Sequence, residues 1–207
     1  MASSMESTKK AVMSPYDKDK YRNLMGMVKG YDYPIEKHYY NTEDDYVNTV
    51  FRINGPKGTN AKENNLSGIK RPVLIYQHGL MDSAAGSCCD GQDSMIFFFA
   101  DAGFDVWMNN SRGNCYSRQH KYLDPDNDKE FWNFSFHELG KYDQPALWNL
   151  VLKETGASSA SYVGHSQGTA QMFAALAMNP EFFRGKLNIA IMLAPVVWLH
   201  NSPAKLL

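Results

Sequence analysis

Tyr162-Val163-Gly164-His165-Ser166-Gln167-Gly168-Thr169 is the stretch of sequence that decides the fold. A short strand-like run, residues 159–163, leads into its glycine turn, and an alanine-rich segment follows, from Gln167 to Met178. A buried strand is expected to end at Val163 and a helix to begin at Gln167, with Gly-x-Ser-x-Gly as the turn between them. This context matters, because the five-residue pattern alone arises by chance in about one chain in fifteen of this length.

The two glycines of the turn have a physical explanation. Side chains at positions 164 and 168 would clash in so tight a turn, so both positions require glycine. Ser166 is then expected in a strained conformation, with its hydroxyl exposed and the N-terminus of the next helix beside it. We therefore predict that Ser166 is a nucleophile, with Gly164, His165 and Gly168 as support for its turn. The alternative is an ordinary turn between a strand and a helix.

A second feature lies upstream, where the apolar run of residues 72–77 predicts a strand buried on both faces. His78-Gly79-Leu80 follows it directly. A nucleophilic serine of this type uses two backbone N–H donors, one from the residue after the serine and one from the loop after an earlier strand. We assign these oxyanion donors to Gln167 and Leu80. His78 and Gly79 are predicted to shape the loop, with His78 structural rather than a base.

Strands and helices alternate around these motifs. Strands are predicted near residues 36–41, 46–53, 72–77, 104–108, 159–163 and 187–193, and helices near 18–29, 93–102, 136–154 and 167–178. Residues 42–45 predict a hairpin turn between the first two strands, and 54–70 and 111–133 predict loops. The later alternation predicts an α/β fold, in which a mostly parallel sheet is connected by crossover helices. We expect a flexible tail over 1–17 and a single domain portion over 18–207.

Composition excludes several classes of protein. The 207 residues suffice for one domain with a core, and the hydrophobic content of 43% is typical of a globular chain. A formal net charge of -1 shows no basic excess for nucleic acid. No apolar segment at the N-terminus resembles a signal peptide, and no run is long enough to cross a membrane. As written, the chain is expected to be soluble, either cytosolic or associated with lipid.

Metal and disulfide patterns are also lacking. The three cysteines, which include adjacent Cys88 and Cys89, are predicted to be free thiols, and no C-x-x-C occurs. Residues 124–128 begin like a calcium loop, but Lys129 stands where such a loop needs glycine and Ser135 where it needs glutamate. No metal and no cofactor are predicted.

The motifs occur in the order found in the acid lipases of the gastric and lysosomal type, which the chain resembles over about residues 20–207. The blocks that carry the resemblance are Gly30-Tyr31, Thr42-Glu43-Asp44, Gln77-His78-Gly79-Leu80, residues 100–107, Asn110-Ser111-Arg112-Gly113-Asn114, residues 130–136, Lys141-Tyr142-Asp143, residues 162–169 and Leu193-Ala194-Pro195. Asp45, where the family favours glycine, and Cys88-Cys89 depart from its pattern. The resemblance implies an α/β-hydrolase fold and hydrolysis of neutral lipid esters, such as triacylglycerols or steryl esters, at a lipid–water interface. Members are commonly lysosomal or secreted.

The partners that activate such a serine are not evident in the chain. They follow it in the order acid, then histidine. After Ser166 there is no aspartate, and we interpret Glu181 as a solvated charge and His200 as a loop residue. The resemblance places the triad acid and histidine beyond Leu207, together with most of the cap and the C-terminal strands. We therefore expect an incomplete sheet with an unpaired edge that favours association.

Alternatives remain open at this point. The chain is interpreted first as part of a lipase, second as an inactive remnant that binds lipid or a partner protein, and third as half of an assembly with a separate chain. Asp143 precedes the serine, so a helix-surface or packing role is predicted for it, and Arg112 is predicted to pair structurally with a carboxylate. The aromatic residues of 131–136 are predicted to pack in the core, with lipid contact as the alternative.

Overall fold

A seven-stranded mixed sheet forms the centre of the computed structural model, which describes residues 19–20 and 22–198. The predicted tail and His200 lie outside the described residues. The strands are β1 Glu36–Asn41, β2 Tyr46–Ile53, β3 Val73–Gln77, β4 Asp105–Asn109, β5 Gln119–His120, β6 Ala160–His165 and β7 Leu187–Leu193. Their order is β1-β2-β4-β3-β6-β7, with β5 paired to β2. β4, β3, β6 and β7 are parallel, and β2 is antiparallel to its neighbours.

Helices cover both faces of the sheet. They are α1 Leu24–Gly30, α2 Ala61–Leu66, α3 Met95–Asp101, α4 Phe136–Glu138, α5 Gln144–Thr155, α6 Gln167–Met178 and α7 Pro180–Phe183. α1 and α3 pack with Leu74 and Tyr76 of β3 in one core cluster, and α5 and α6 pack with Val73 and Ile75 in a second. Because alternate residues of a strand point to opposite faces, β3 is buried on both. This confirms the interpretation of its continuous apolar run.

The hairpin of β1 and β2 has the predicted bounds. Thr42 Oγ1 accepts the Tyr46 N–H at 3.0 Å, which closes the turn. Asp45 has φ of 68°, a left-handed conformation that aspartate tolerates better than most residues. This conformation explains why glycine suits the position and why Asp45 is an acceptable departure.

The structure corrects three predictions of where helices and loops lie. The helix predicted over 18–29 is not continuous, because Asp19 is helical, Arg22 and Asn23 are not, and α1 begins at Leu24, where Asn23 accepts the Gly26 N–H at 2.9 Å. The loop predicted over 54–70 contains α2, which Asn60 caps. The loop predicted over 111–133 contains β5 and a 3₁₀ turn over Lys129–Trp132.

The helix predicted over 136–154 is present but interrupted. A π-helical segment, Leu139–Asp143, joins α4 to α5. Within it, a methyl group on Gly140 would lie 2.8 Å from both the Gln171 carbonyl oxygen and Ala174 Cβ. The segment therefore lies directly against α6, and it turns Asp143 fully into the interior.

The three cysteines are free, as predicted, with Cys88 buried and the other two exposed. The described residues include no cluster of three or more potential metal ligands. None of the helices in the same part of the chain is both long and apolar enough to cross a membrane.

Candidate active site

Ser166 lies on a sharp turn between β6 and α6. Its φ of 51° and ψ of -118° are strained for a residue with a side chain, and such strain is characteristic of functional turns. Its N–H donates to the Leu193 carbonyl at 2.9 Å, which holds the turn at the end of β7. Its side chain is half-buried, and within the described residues its hydroxyl has no hydrogen-bond partner.

Backbone contacts explain both glycines of the turn. A Cβ at Gly164 would lie 3.0 Å from the carbonyl carbon and oxygen of Gly168. A Cβ at Gly168 would lie 2.6 Å from the Gln77 carbonyl oxygen and 3.0 Å from that of His78. These atoms belong to the strand and helix backbone, so they cannot move aside as a flexible side chain does. The predicted need for glycine has this steric cause.

Gly168→Ala is therefore expected to destabilise the fold. The added methyl group must separate α6 from the end of β3, and overpacking against backbone costs roughly 1–3 kcal/mol or more. Urea unfolding measures the effect. Gly26→Ala in α1 is the matched control, because its Cβ would meet mainly the side chain of Arg22, and it should be neutral or stabilising by up to about 1 kcal/mol. Equal stability of the two variants would contradict the steric explanation.

The loop after β3 lies beside the turn. β3 and β6 are parallel, with Gln77 opposite Gly164, so the residues that follow each strand are neighbours. A Cβ on Gly79 would lie 3.1 Å from Ser166 Cβ and 3.3 Å from Nδ1 of the exposed His165. Only glycine allows this approach without displacing the serine.

Two backbone N–H groups near Ser166 are unpaired within the described residues. The Leu80 N–H donates to no backbone or side-chain acceptor. Gln167 is the first residue of α6, where helix N–H groups have no intrahelical acceptor. Both residues line the same cavity. A developing oxyanion beside a nucleophilic serine would need two such donors.

His78 is buried and held at both ring nitrogens. Nδ1 lies 2.7 Å from the Gly79 carbonyl oxygen, and Nε2 accepts the Ser111 N–H at 3.0 Å. Burial lowers the pKa of His78 below its usual value, so the ring is neutral near pH 7. A ring in these contacts has no free nitrogen with which to act as a base toward Ser166.

A cavity of about 700 Å³ opens beside the turn. Ser166 itself is not among its lining residues, but its neighbours Gly79 and Gln167 are. Its apolar wall and rim consist of Leu80, Met81, Trp132, Phe134, Phe136 and Leu139. Met81 is 95% exposed and Trp132 43% exposed. Of the aromatic residues predicted to pack in the core, Phe131 is buried there, whereas Trp132, Phe134 and Phe136 line the cavity.

A buried charge cluster supports the far wall of the cavity. Arg112 binds both carboxylate oxygens of Asp44, at 2.5 and 2.8 Å, and one oxygen of Asp143, at 2.5 and 2.9 Å. Burial raises the pKa of Asp143 to about 6 despite the guanidinium beside it. Burial alone would lower the pKa of Arg112, but the two carboxylates raise it, so Arg112 stays charged. The prediction of a structural pairing for Arg112 is confirmed. Asp143 is fully buried against Arg112, so the helix-surface role predicted as one alternative for it is wrong.

A polar network beneath the turn was missed in the sequence. Gln77, Ser111, Gln144 and Gln171 are all buried and hydrogen-bonded to one another at 3.0 to 3.3 Å. The sequence signal that could have indicated this network is the presence of polar residues within otherwise apolar strand and helix patterns. Each alone gives no signal in sequence, because β3, the loop after β4, α5 and α6 bring them together from distant positions.

Comparisons with known proteins agree with this geometry. Residues 72–203 match the model of the α/β hydrolase fold, and residues 24–91 match that of a partial α/β-hydrolase lipase region. An epoxide hydrolase from Vigna radiata is similar in structure, with a TM-score of 0.51 and 14% identity over 81% of this chain and 41% of that one. The chain has the α/β-hydrolase fold.

The relatives in sequence are lipases. Rat (Rattus norvegicus) gastric triacylglycerol lipase is 43% identical over 93% of this chain and 48% of its own length. Mouse (Mus musculus) lipase member K is 40% identical over 88% of this chain and 45% of its own length. The chain thus belongs to the family of gastric-type acid lipases, which are carboxylic ester hydrolases. It spans about half the length of the curated relatives that it matches.

Proposed function

We propose that this chain carries the nucleophile and the oxyanion hole of a serine hydrolase that acts on neutral lipid esters. The observation that carries the proposal is the position of Ser166, on a strained turn beside the unpaired N–H groups of Leu80 and Gln167. Nucleophile and donors at neighbouring strand ends are the parts that acyl transfer requires.

The reaction follows from these positions. Ser166 Oγ attacks the ester carbonyl carbon while a base takes its proton, and the carbonyl oxygen becomes an oxyanion that accepts hydrogen bonds from Leu80 and Gln167. Collapse expels the alcohol, which leaves with that proton, and water then hydrolyses the acyl-serine. The resemblance to the acid lipases places the base and its acid partner in sequence other than the described residues. Neither Asp143, which is engaged by Arg112, nor His78, which is engaged at both nitrogens, is free for either role.

The cavity indicates an apolar acyl group as substrate. Its walls are mainly aliphatic and aromatic, and no unpaired charged side chain among the described residues lines it beyond Asp82 at the edge. The name of rat gastric triacylglycerol lipase specifies triacylglycerol as the substrate of that relative. A triacylglycerol or steryl ester presented at a lipid–water interface, with Met81 and Trp132 at the rim, fits this surface.

The test uses a chimera in which this chain is joined to the second half of rat gastric triacylglycerol lipase. Turnover of triacylglycerol and steryl ester emulsions by the chimera, with none by residues 1–207 alone, supports the proposal. Emulsion binding without turnover by the chimera supports the alternative, a remnant that only binds lipid. Turnover by residues 1–207 alone would show that a base lies within this chain.

Trp132→Ala is expected to alter acyl preference in the chimera. Loss of the ring from the cavity rim removes apolar contact worth about 1–2 kcal/mol, so kcat/KM for long-chain esters should fall about tenfold. Short-chain esters, which do not reach the rim, should be hydrolysed at the original rate. Tyr122→Ala removes an exposed aromatic residue that does not line the cavity, and it is the control. An equal loss for both chain lengths would contradict the assignment.

The outer edge of β7 is proposed as the contact for the second half of the fold. No strand of the described residues pairs with that edge, and Ile189, Ile191 and Leu193 are exposed on one face. Residues 1–207 alone are expected to self-associate through it, and Ile191→Lys should restore the monomer. Sedimentation measures the change, with Asn188→Lys, at an exposed position of β7 that is already polar, as control. A monomeric chain without the substitution would contradict this proposal.

A further inference from the structure

The N–H of Leu80 belongs to the same peptide group as the carbonyl of Gly79. In a trans peptide these two groups point in opposite directions, so any contact that fixes the carbonyl also fixes the N–H. The Gly79 carbonyl oxygen is held by Nδ1 of His78 at 2.7 Å. The direction of the Leu80 N–H therefore depends on a proton at His78 Nδ1.

The tautomer of His78 is determined by its other nitrogen. Nε2 faces the backbone N–H of Ser111 at 3.0 Å, and a backbone N–H can only donate. Nε2 is therefore without a proton, and the single proton of the neutral ring is at Nδ1, where it donates to Gly79.

Asn114 gives independent support for this tautomer. Its Nδ2 lies 3.1 Å from His78 Nε2, while its Oδ1 accepts the N–H groups of Tyr116 and Ser117 at 2.9 and 3.1 Å. If the Asn114 amide were flipped, its NH2 group would face these two backbone N–H donors, so the flipped orientation is excluded. Asn114 thus presents a second donor to Nε2.

Ser111 is also hydrogen-bonded to α6, the helix that begins with the other proposed oxyanion donor, Gln167. Its Oγ accepts from Nε2 of Gln171, on α6, at 3.1 Å, and from Nε2 of Gln77 at 3.0 Å. Gln167 lies one turn before Gln171 on the same helix. The buried Ser111 hence connects the loop that carries Leu80 to the helix that begins with Gln167.

We propose that His78 is a positioning residue of the oxyanion hole, held in its Nδ1–H tautomer by Ser111 and Asn114 so that the Leu80 N–H points at the reacting oxygen. The inference rests on the proposed function and goes beyond it. It assigns the orientation of one oxyanion donor to a ring whose two nitrogens are both engaged by the protein. The role predicts an effect on the rate constant for reaction of Ser166 rather than on binding.

The first test is the tautomer itself, in the unsubstituted chain. Nitrogen NMR of histidine-labelled protein should show His78 with a protonated Nδ1 and an unprotonated Nε2 near pH 7, identified by loss of its signals in His78→Gln. A ring protonated at Nε2, or at both nitrogens, would overturn the proposal. This measurement does not depend on any reactivity of Ser166.

The second test is a pair of amide substitutions. His78→Asn places an N–H donor near the former Nδ1, whereas His78→Gln places its amide near the former Nε2. Phosphonylation of Ser166 by a fluorophosphonate, at alkaline pH where hydroxide takes the proton, reports on the oxyanion hole. The rate constant should fall about 10- to 100-fold in His78→Gln and within about threefold in His78→Asn, since a lost donor costs 10²- to 10³-fold.

The Tm and labelling rates of the two variants distinguish a positioning role of His78 from a purely structural role. Both variants lose one contact of the ring, so a structural role would lower Tm and labelling in parallel in both. Equal losses in the two variants would overturn the proposal. Absence of Ser166 labelling in every protein, including the unsubstituted chain, would count against the proposed function, while the tautomer still decides the positioning role.

Discussion

Ser166→Ala is expected to reduce ester hydrolysis by the chimera about 10⁴- to 10⁶-fold, leaving the binding of lipid emulsions unchanged. The physical reason is that Ser166 lies on the strained turn beside the unpaired N–H groups of Leu80 and Gln167, so its hydroxyl is the proposed attacking group. The hydroxyl forms no hydrogen bond within the described residues, so its removal leaves no buried group unpaired. Initial rates on triacylglycerol emulsions measure the effect.

A matched substitution makes this result specific. Ser135→Ala removes a hydroxyl from the lining of the same cavity, where it only caps α4, and it should retain most of the activity. Equal activity of Ser166→Ala and the unsubstituted chimera would remove Ser166 as the nucleophile. The α/β-hydrolase fold would stand, because it does not depend on the hydroxyl.

Arg112→Met is expected to lower the free energy of unfolding by about 3–5 kcal/mol, the cost of leaving a buried charge without its partner. Arg112 makes every hydrogen bond of the fully buried Asp143 carboxylate, and the second Asp143 oxygen already has none. Urea unfolding with an unchanged m-value measures the loss.

The pH dependence of this loss has a definite sign. The folded-state pKa of Asp143, about 6, lies above its unfolded value of 3.8, so the folded state binds the proton more tightly. Its contribution to stability therefore rises as pH falls from above 6 toward 4. In Arg112→Met the charge is no longer compensated, so the loss should be smaller in mild acid than at neutral pH.

Arg118→Met is the control for the charge. Arg118 pairs with Asp126 on the surface, where ion pairs contribute about 0–1 kcal/mol. A loss of the same size in both variants, or none in Arg112→Met, would contradict the interpretation of the Arg112 cluster.

Features with a strong local cause could be predicted from the sequence. α6 and β7 have the predicted bounds, because an apolar strand, a glycine turn and an alanine-rich helix each leave a local pattern. The turn between β1 and β2 could also be predicted, because its residues leave a local sequence pattern. Ser166, Leu80 and Gln167 could be brought together because neighbouring parallel strands end at one edge of a sheet.

The remainder depends on contacts distant in sequence. Nothing near Gly140 indicates a π-helical segment, which arises where that glycine meets α6. The tautomer of His78 is set by Ser111, 33 positions away. The short helix α2 has no apolar periodicity, since its residues are mostly polar and none is buried.

Ser166 is expected to become a nucleophile only when the second half of the fold is present. Reaction of the chimera with a fluorophosphonate near pH 7, followed by peptide mapping, measures this. We expect fast modification at Ser166 in the chimera and slow or absent modification in residues 1–207 alone. Modification of another residue in the chimera, or none at Ser166, would contradict it.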